Sequence, residues 1–240
     1  ILAIDGEAKL IELVAEAMNI DIVFEDDSLI VVNKPAGLVV HPGAGNARGT
    51  LLNGLLSHDS NLAGLPRAGL VHRLDKGTTG LMVVAKNQQA YKGLIEQLTN
   101  RLVSREYEAI VHGHPPPEGT VDAPIGRHRR QRTKMAITSR GRRAITNYLS
   151  LKRLGPYSYV RLRLETGRTH QIRVHMRHLG HPLVGDPVYG KKNGPDFSRQ
   201  ALHALRLAFL HPLSGKKIAL QQPLPEDFQK LLNELRENSV

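Results

Sequence analysis

The segment Val71-His72-Arg73-Leu74-Asp75-Lys76-Gly77-Thr78-Thr79-Gly80 places a carboxylate on a Gly/Thr-rich turn directly ahead of the apolar run Leu81-Met82-Val83-Val84. A carboxylate there is carried by a rigid element yet faces open space, as a catalytic group requires. An Asp that merely bonds its own backbone in a turn has the same appearance, and the residues alone leave both readings open.

Four histidines, His170, His175, His178 and His181, crowd another stretch. Paired metal ligands on one helix face want i, i+4 spacing and a carboxylate. Here the gaps are five, three and three, with arginines between, so no metal site is expected. The run Gly43-Ala44-Gly45-Asn46-Ala47-Arg48-Gly49 brings its third glycine one residue too late for a dinucleotide loop, and a turn is expected instead. No cofactor is expected.

From Arg127 to Arg143 the chain holds Arg127, Arg129, Arg130, Arg132, Lys134, Arg140, Arg142 and Arg143 without one acid. Charges so concentrated repel one another unless an anion lies across them, and guanidinium forks match phosphates bidentately. A solvated loop is the plain alternative. The whole chain carries a net charge of +11 and a pI near 10.1, which points the same way, to a polyanion partner. Aromatics are only 4% of residues, too few for a broad base-stacking platform. With no cysteine, disulfides and thiolate metal sites are excluded. No apolar run approaches the roughly 18 residues of a membrane span, and the first residues carry no basic-then-apolar leader, so a cytoplasmic protein is expected.

The elements that must position these groups follow from periodicity. Leu10, Ile11, Leu13, Val14 and Met18 predict a short amphipathic helix over 6–19. Strands are expected over 21–24, 29–33, 81–86, 105–112, 157–165, 202–210 and 218–221, and helices over 50–57, 87–100, 170–179 and 225–238. Short strands are expected between the break at Pro115-Pro116-Pro117 and residue 157. Many strands joined by hairpin-length turns, with few helices, predict an α+β fold built on a largely antiparallel or mixed sheet.

His72-Arg73-Leu74-Asp75 with Thr78-Thr79-Gly80 resembles the HRLD-x-x-T-[ST]-G signature of pseudouridine synthases of the RluA type. Four further stretches are similar to blocks of that family: Asn33-Lys34-Pro35-Ala36-Gly37, Arg105-Glu106-Tyr107-Glu108-Ala109, Gly167-Arg168-Thr169-His170-Gln171-Ile172-Arg173-Val174-His175, and Gly180-His181-Pro182-Leu183-Val184-Gly185-Asp186 with Leu202-His203-Ala204. Within the family, Val39-Val40-His41-Pro42-Gly43-Ala44-Gly45-Asn46 and the basic midsection look most like the D-type synthases of large-subunit (23S) ribosomal RNA.

The resemblance implies a catalytic domain over 20–240 in two lobes flanking a central RNA-binding cleft, with 1–19 the linker or short helix that follows a missing N-terminal S4-type domain. It implies conversion of uridine to pseudouridine by a monomer using neither metal nor cofactor. Asp75 becomes the catalytic carboxylate, Arg173 its ion-pair partner, and Tyr107 the ring lying against the detached base. Arg73 fills the space vacated by a flipped nucleotide, Ile172 walls the pocket, and Arg127, Arg129, Arg130 and Arg132 grip RNA. The competing readings are a non-catalytic RNA-binding or ribosome-assembly protein and the same chemistry on transfer RNA.

Overall fold

Two runs rich in β-branched residues form the first strands among the described residues, and each pairs with the next. A computed structural model describes residues 14–43, 45–131 and 133–238 and divides the chain into two compact units. The first ends at Leu102 and takes back Phe209–Ile218, and the second holds Val103–Ala208 and the residues from Ala219.

In the first unit, β1 (Ile22–Glu25) pairs antiparallel with β2 (Leu29–Lys34). The helix α1 (Leu51–His58) follows, then β3 (Thr79–Ala85), which pairs antiparallel with β2, Leu29 opposite Ala85 and Lys34 opposite Gly80. All of β3 is buried, which is why its sequence is a continuous apolar run and not an alternation. The helix α2 (Gln88–Thr99) starts where the Asn87 side chain accepts the Ala90 amide at 2.9 Å as its N-cap.

The helix expected over 6–19 is corrected where it can be judged; residues 6–13 lie outside the described residues. Residues 14–20 are extended, with Val14, Glu16, Met18 and Ile20 half-buried and Ala15, Ala17 and Asn19 exposed. Asn53 of α1 is the physical reason. Its side-chain amide donates to the Val14 carbonyl at 2.7 Å, and its own carbonyl accepts from the Glu16 amide at 3.0 Å. Backbone groups that a helix would pair internally are thus bonded to α1, while Met18 lies over Gly54, where a Cβ would come within 2.4 Å of its Cγ.

The second unit begins with β4 (Ser104–His112), then β5 (Glu118–Asp122), a small hairpin of β6 (Ile125–Arg127) and β7 (Met135–Ile137), and the long β8 (Ile145–Leu154) and β9 (Tyr157–Leu164). The helix α3 (Gln171–His178) comes next, then β10 (Leu202–Leu210), whose last two residues are counted with the first unit, β11 (Lys217–Gln221), whose first two are, and α4 (Glu226–Glu237). Strand order within this unit is β10-β4-β9-β8-β5, every pairing antiparallel. Phe228, Leu231, Leu232 and Leu235 of α4 pack with Ile110, Leu154 and Tyr159, the amphipathic spacing turned toward the sheet. No helix among the described residues is long and apolar enough to cross a membrane.

The connection into β3 passes through a tight turn. Arg67 and Ala68 have φ of 53° and 51° and Gly69 has φ of 79°, three successive residues in the left-handed region. At Gly69 a Cβ would stand 2.0 Å from the Ala85 carbonyl oxygen. Gly69→Ala is therefore expected to cost at least about 2 kcal/mol in urea-unfolding free energy, since positive φ and a backbone clash act together.

Candidate functional site

Asp75 leaves the end of a loop whose shape is set by a buried lysine. Lys34, 1% exposed at the end of β2, donates from Nζ to the carbonyls of Pro35 at 2.7 Å, Leu38 at 2.9 Å and Lys76 at 3.1 Å. The Gly37 amide also bonds the Lys76 carbonyl, at 2.9 Å. Downstream, the Thr78 amide bonds the Asp75 carbonyl at 3.0 Å, and Thr78 and Thr79 are buried. Upstream, His72 Nε2 accepts the Val83 amide at 3.1 Å, fastening the loop to the strand it precedes. The Asp75 side chain is half-buried at this point, with Leu74 buried before it and Arg73 exposed.

His41 belongs to the same unit. Burial, with Arg73 and Arg67 adding repulsion, pushes its imidazole down to about 4, so the ring is neutral near pH 7. Its Nε2 is buried without a hydrogen-bond partner among the described residues. The loop therefore presents cations around a neutral ring, an arrangement suited to anions approaching from solvent.

In the second unit Tyr107 sits in mid-strand on β4, opposite Leu162 of β9 and Ala204 of β10, and is 5% exposed. Strand alternation puts Arg105 and Tyr107 on one face and Glu106 and Glu108 on the other. Glu108 accepts from Arg161 Nη2 at 2.7 Å and from the Tyr159 hydroxyl. Burial and that carboxylate together push the Tyr159 phenol upward.

Helix α3 carries Ile172 and Arg173, both 4% exposed. It starts from His170, whose φ of 57° turns the chain sharply into the helix. Arg173 donates from Nε to Asp186 Oδ2 at 2.7 Å and from Nη2 to Oδ1 at 2.8 Å, a bidentate fork. Burial alone would raise the Asp186 carboxyl, but the Arg173 guanidinium and the Tyr189 and Val188 amides outweigh it and hold the group below its ordinary value. The Arg173 guanidinium also lies over the Tyr189 ring, 5.0 Å from its centroid. The Tyr189 hydroxyl accepts the Met135 amide at 2.8 Å and stands 2.8 Å from His170 Nδ1.

The basic stretch is an ordered hairpin, β6 and β7, where its residues are described. Arg127, Arg129 and Arg130 are exposed; Arg132 lies outside the described residues. His128 shapes the tip by accepting the Arg130 and Gln131 amides at 3.2 and 3.1 Å. Beyond the hairpin, Arg143 pairs with Asp122 at 2.9 Å, so one cation of the run is neutralised by an acid outside it.

The expected site residues thus fall into two sets. Arg73 and Asp75 belong to the first unit, and Tyr107, Ile172, Arg173 and the basic hairpin to the second. The clustered histidines are engaged singly: His175 with the Thr146 hydroxyl and the Ala123 carbonyl, His181 with the His112 carbonyl, and His170 with Tyr189. Sequence reasoning gave no role to Asp186, which it quoted only as the end of a family-like block, and none to Tyr189, yet these are the residues that orient Arg173.

A profile of the family described as RNA pseudouridylate synthase matches residues 28–178. The protein named ribosomal large subunit pseudouridine synthase D of Xanthomonas campestris pv. campestris is 51% identical over 256 residues, covering 98% of this chain and 77% of that protein. The protein of the same name from Pseudomonas aeruginosa is 52% identical over 240 residues, covering 95% of this chain and 75% of the other. Among solved structures, human RNA pseudouridylate synthase domain containing 4 superposes with a TM-score of 0.71 at 30% identity, covering 90% of this chain and 93% of that one.

Two stability measurements probe this geometry. Asp186→Asn leaves a buried guanidinium short of its counter-charge and is expected to cost about 3 kcal/mol in denaturant unfolding. For His41, the unfolded chain binds a proton below about pH 6.5 and the folded chain only below about 4, so stability falls as pH drops through that window. His41→Gln is expected to flatten the pH 4–6.5 stability profile by roughly 2 kcal/mol, after allowance for incomplete burial.

Proposed function

Since the chain belongs to the RNA pseudouridylate synthase family and isomerises uridine to pseudouridine in RNA, we propose that its substrate is large-subunit ribosomal RNA and that Asp75 carries the chemistry. The observation that carries the choice of substrate is the identity of about half of all residues, spread over 98% of the chain, with a protein named for that RNA. We take it to act in the cytoplasm as a monomer, needing neither metal nor cofactor, because an isomerisation consumes no redox equivalent.

Breaking the N1–C1′ bond of uridine builds positive charge on the sugar, and a carboxylate fixed nearby stabilises it. Asp75 suits that role because Lys34, His72 and β3 anchor the loop that carries it while its side chain stays partly open. Arg173 serves as its counter-charge, oriented by Asp186. The target base must leave the stack, at a cost of a few kcal/mol, and exposed Arg73 takes the vacated space. Tyr107 lies against the detached ring and Ile172 walls it. Arg127, Arg129, Arg130 and Arg132 hold phosphates, a task suited to the exposed guanidinium groups that the hairpin carries.

Tritium release from RNA labelled at uracil C5 tests the reading. Asp75→Asn is expected to release none above background while binding RNA within about twofold of wild type, and equal loss of both would make Asp75 structural. Tyr107→Phe is expected to lower release by at least about tenfold, and an unchanged rate would remove the hydroxyl from the reaction. Labelled transfer RNA in place of ribosomal RNA is expected to release nothing; release from it alone would move the substrate to transfer RNA.

A further inference from the structure

Arg105 is the buried charge that the proposed mechanism leaves without work. It is 7% exposed, burial lowers the pKa of its guanidinium from the ordinary value, and its Nε has no hydrogen-bond partner among the described residues. Among the described residues no carboxylate pairs with it. The other buried arginines of this unit are matched: Arg173 by Asp186, and Arg199 by Asp227 at 2.6 Å. An uncompensated buried cation costs several kcal/mol that an apolar side chain of equal size would not. Such a cost is retained where an anion arrives during function.

Two features say where that anion lies. Arg105 precedes Tyr107 by two on β4, so both side chains stand on one face. Behind Arg105 is Gly167, where a Cβ would come 2.7 Å from Nη1 and 3.7 Å from Cζ. The glycine leaves room for a planar guanidinium against the backbone. Phosphates of an RNA strand meet exposed arginines such as Arg129 and Arg130 and have no cause to reach a side chain this deep.

We propose that Arg105 binds the carbonyl edge of the target uracil beside Tyr107 and stabilises the ring as an anion while it is detached. This rests on the reading of Tyr107 given above. When the N1–C1′ bond breaks, its electron pair leaves with the ring, and the negative charge is shared among N1, O2 and O4. The ring turns, C5 bonds to C1′, the C5 proton passes to solvent and N1 takes up a proton, so atoms and charge balance without a co-reactant. A fixed cation at the ring edge favours bond breaking because it meets more negative charge after the step than before it.

The test is single-turnover tritium release at saturating RNA, with RNA affinity measured across a salt series. For Arg105→Gln we expect release slowed about a hundredfold, with Kd and the salt slope unchanged, and for Arg105→Lys recovery of at least tenfold over the Gln variant. Gly167→Ala, which displaces the guanidinium without removing it, is expected to slow release at least tenfold at unchanged Kd. It decides the matter should the Arg105 variants not fold. Wild-type rates in Arg105→Gln or in Gly167→Ala would overturn the proposal. So would weakened binding, a salt slope reduced by about one and an unchanged saturating rate, which together mark a phosphate contact. Absence of release from the wild-type protein on labelled ribosomal RNA is a separate result and would strike the ribosomal substrate itself.

Discussion

An ammonium group loses a large hydration energy when it enters a protein interior, and only a full set of well-placed acceptors offsets it. Lys34 meets that demand with carbonyl oxygens from its own turn, Pro35 and Leu38, and from Lys76, which is 42 residues away in sequence. Because the acceptors are backbone, the lysine specifies the path of the chain and not only the place of a side chain. The turn after β2 and the loop before β3 cannot drift apart without stranding the charge. The partly open carboxylate of Asp75 inherits its position from that requirement, reinforced by His72 on the other side of the loop. In the second unit the fork between Arg173 and Asp186 does the same for α3, with the added stiffness of a planar bidentate contact.

Much of the architecture was legible because burial imposes simple periods. The unbroken apolar run of β3, the alternation along β9 and the 3.6-residue spacing of α4 each point to one structure. Two stretches misled, for definite reasons. Val14 and Met18 are spaced for one face of a helix, but an even spacing also fits a strand, and the Asn53 contacts decide for extended chain. The length of β8 was concealed because its register shifts between Ser150 and Lys152, which reverses the inward and outward parity halfway along. The left-handed run at Arg67 and Ala68 had no local marker except the glycine that follows.

The site divides in the same way. Asp75, Tyr107 and Arg173 stood out because short motifs surround them. The parts played by Asp186, Tyr189 and Arg105 did not, because pairing is a property of the folded chain: among the described residues Arg173 has an acid and Arg105 has none, and nothing near either in sequence says so. Charge counts pointed to a polyanion but could not separate arginines that face solvent from those that face the interior. That separation is visible only in the fold, where Arg127, Arg129 and Arg130 are exposed while Arg105 and Arg173 are buried.

One phenol is common to two neighbourhoods. The Tyr189 hydroxyl takes the amide at the start of β7 and meets His170 at the entry to α3, while its ring underlies the Arg173 guanidinium. The side chain has two torsions that matter, and both are shared by the hairpin and the helix. Any rotation that follows a displaced hairpin also tilts the surface on which the guanidinium rests. A displacement of the hairpin therefore has a mechanical route, through this one side chain, to the orientation of the buried Arg173 guanidinium.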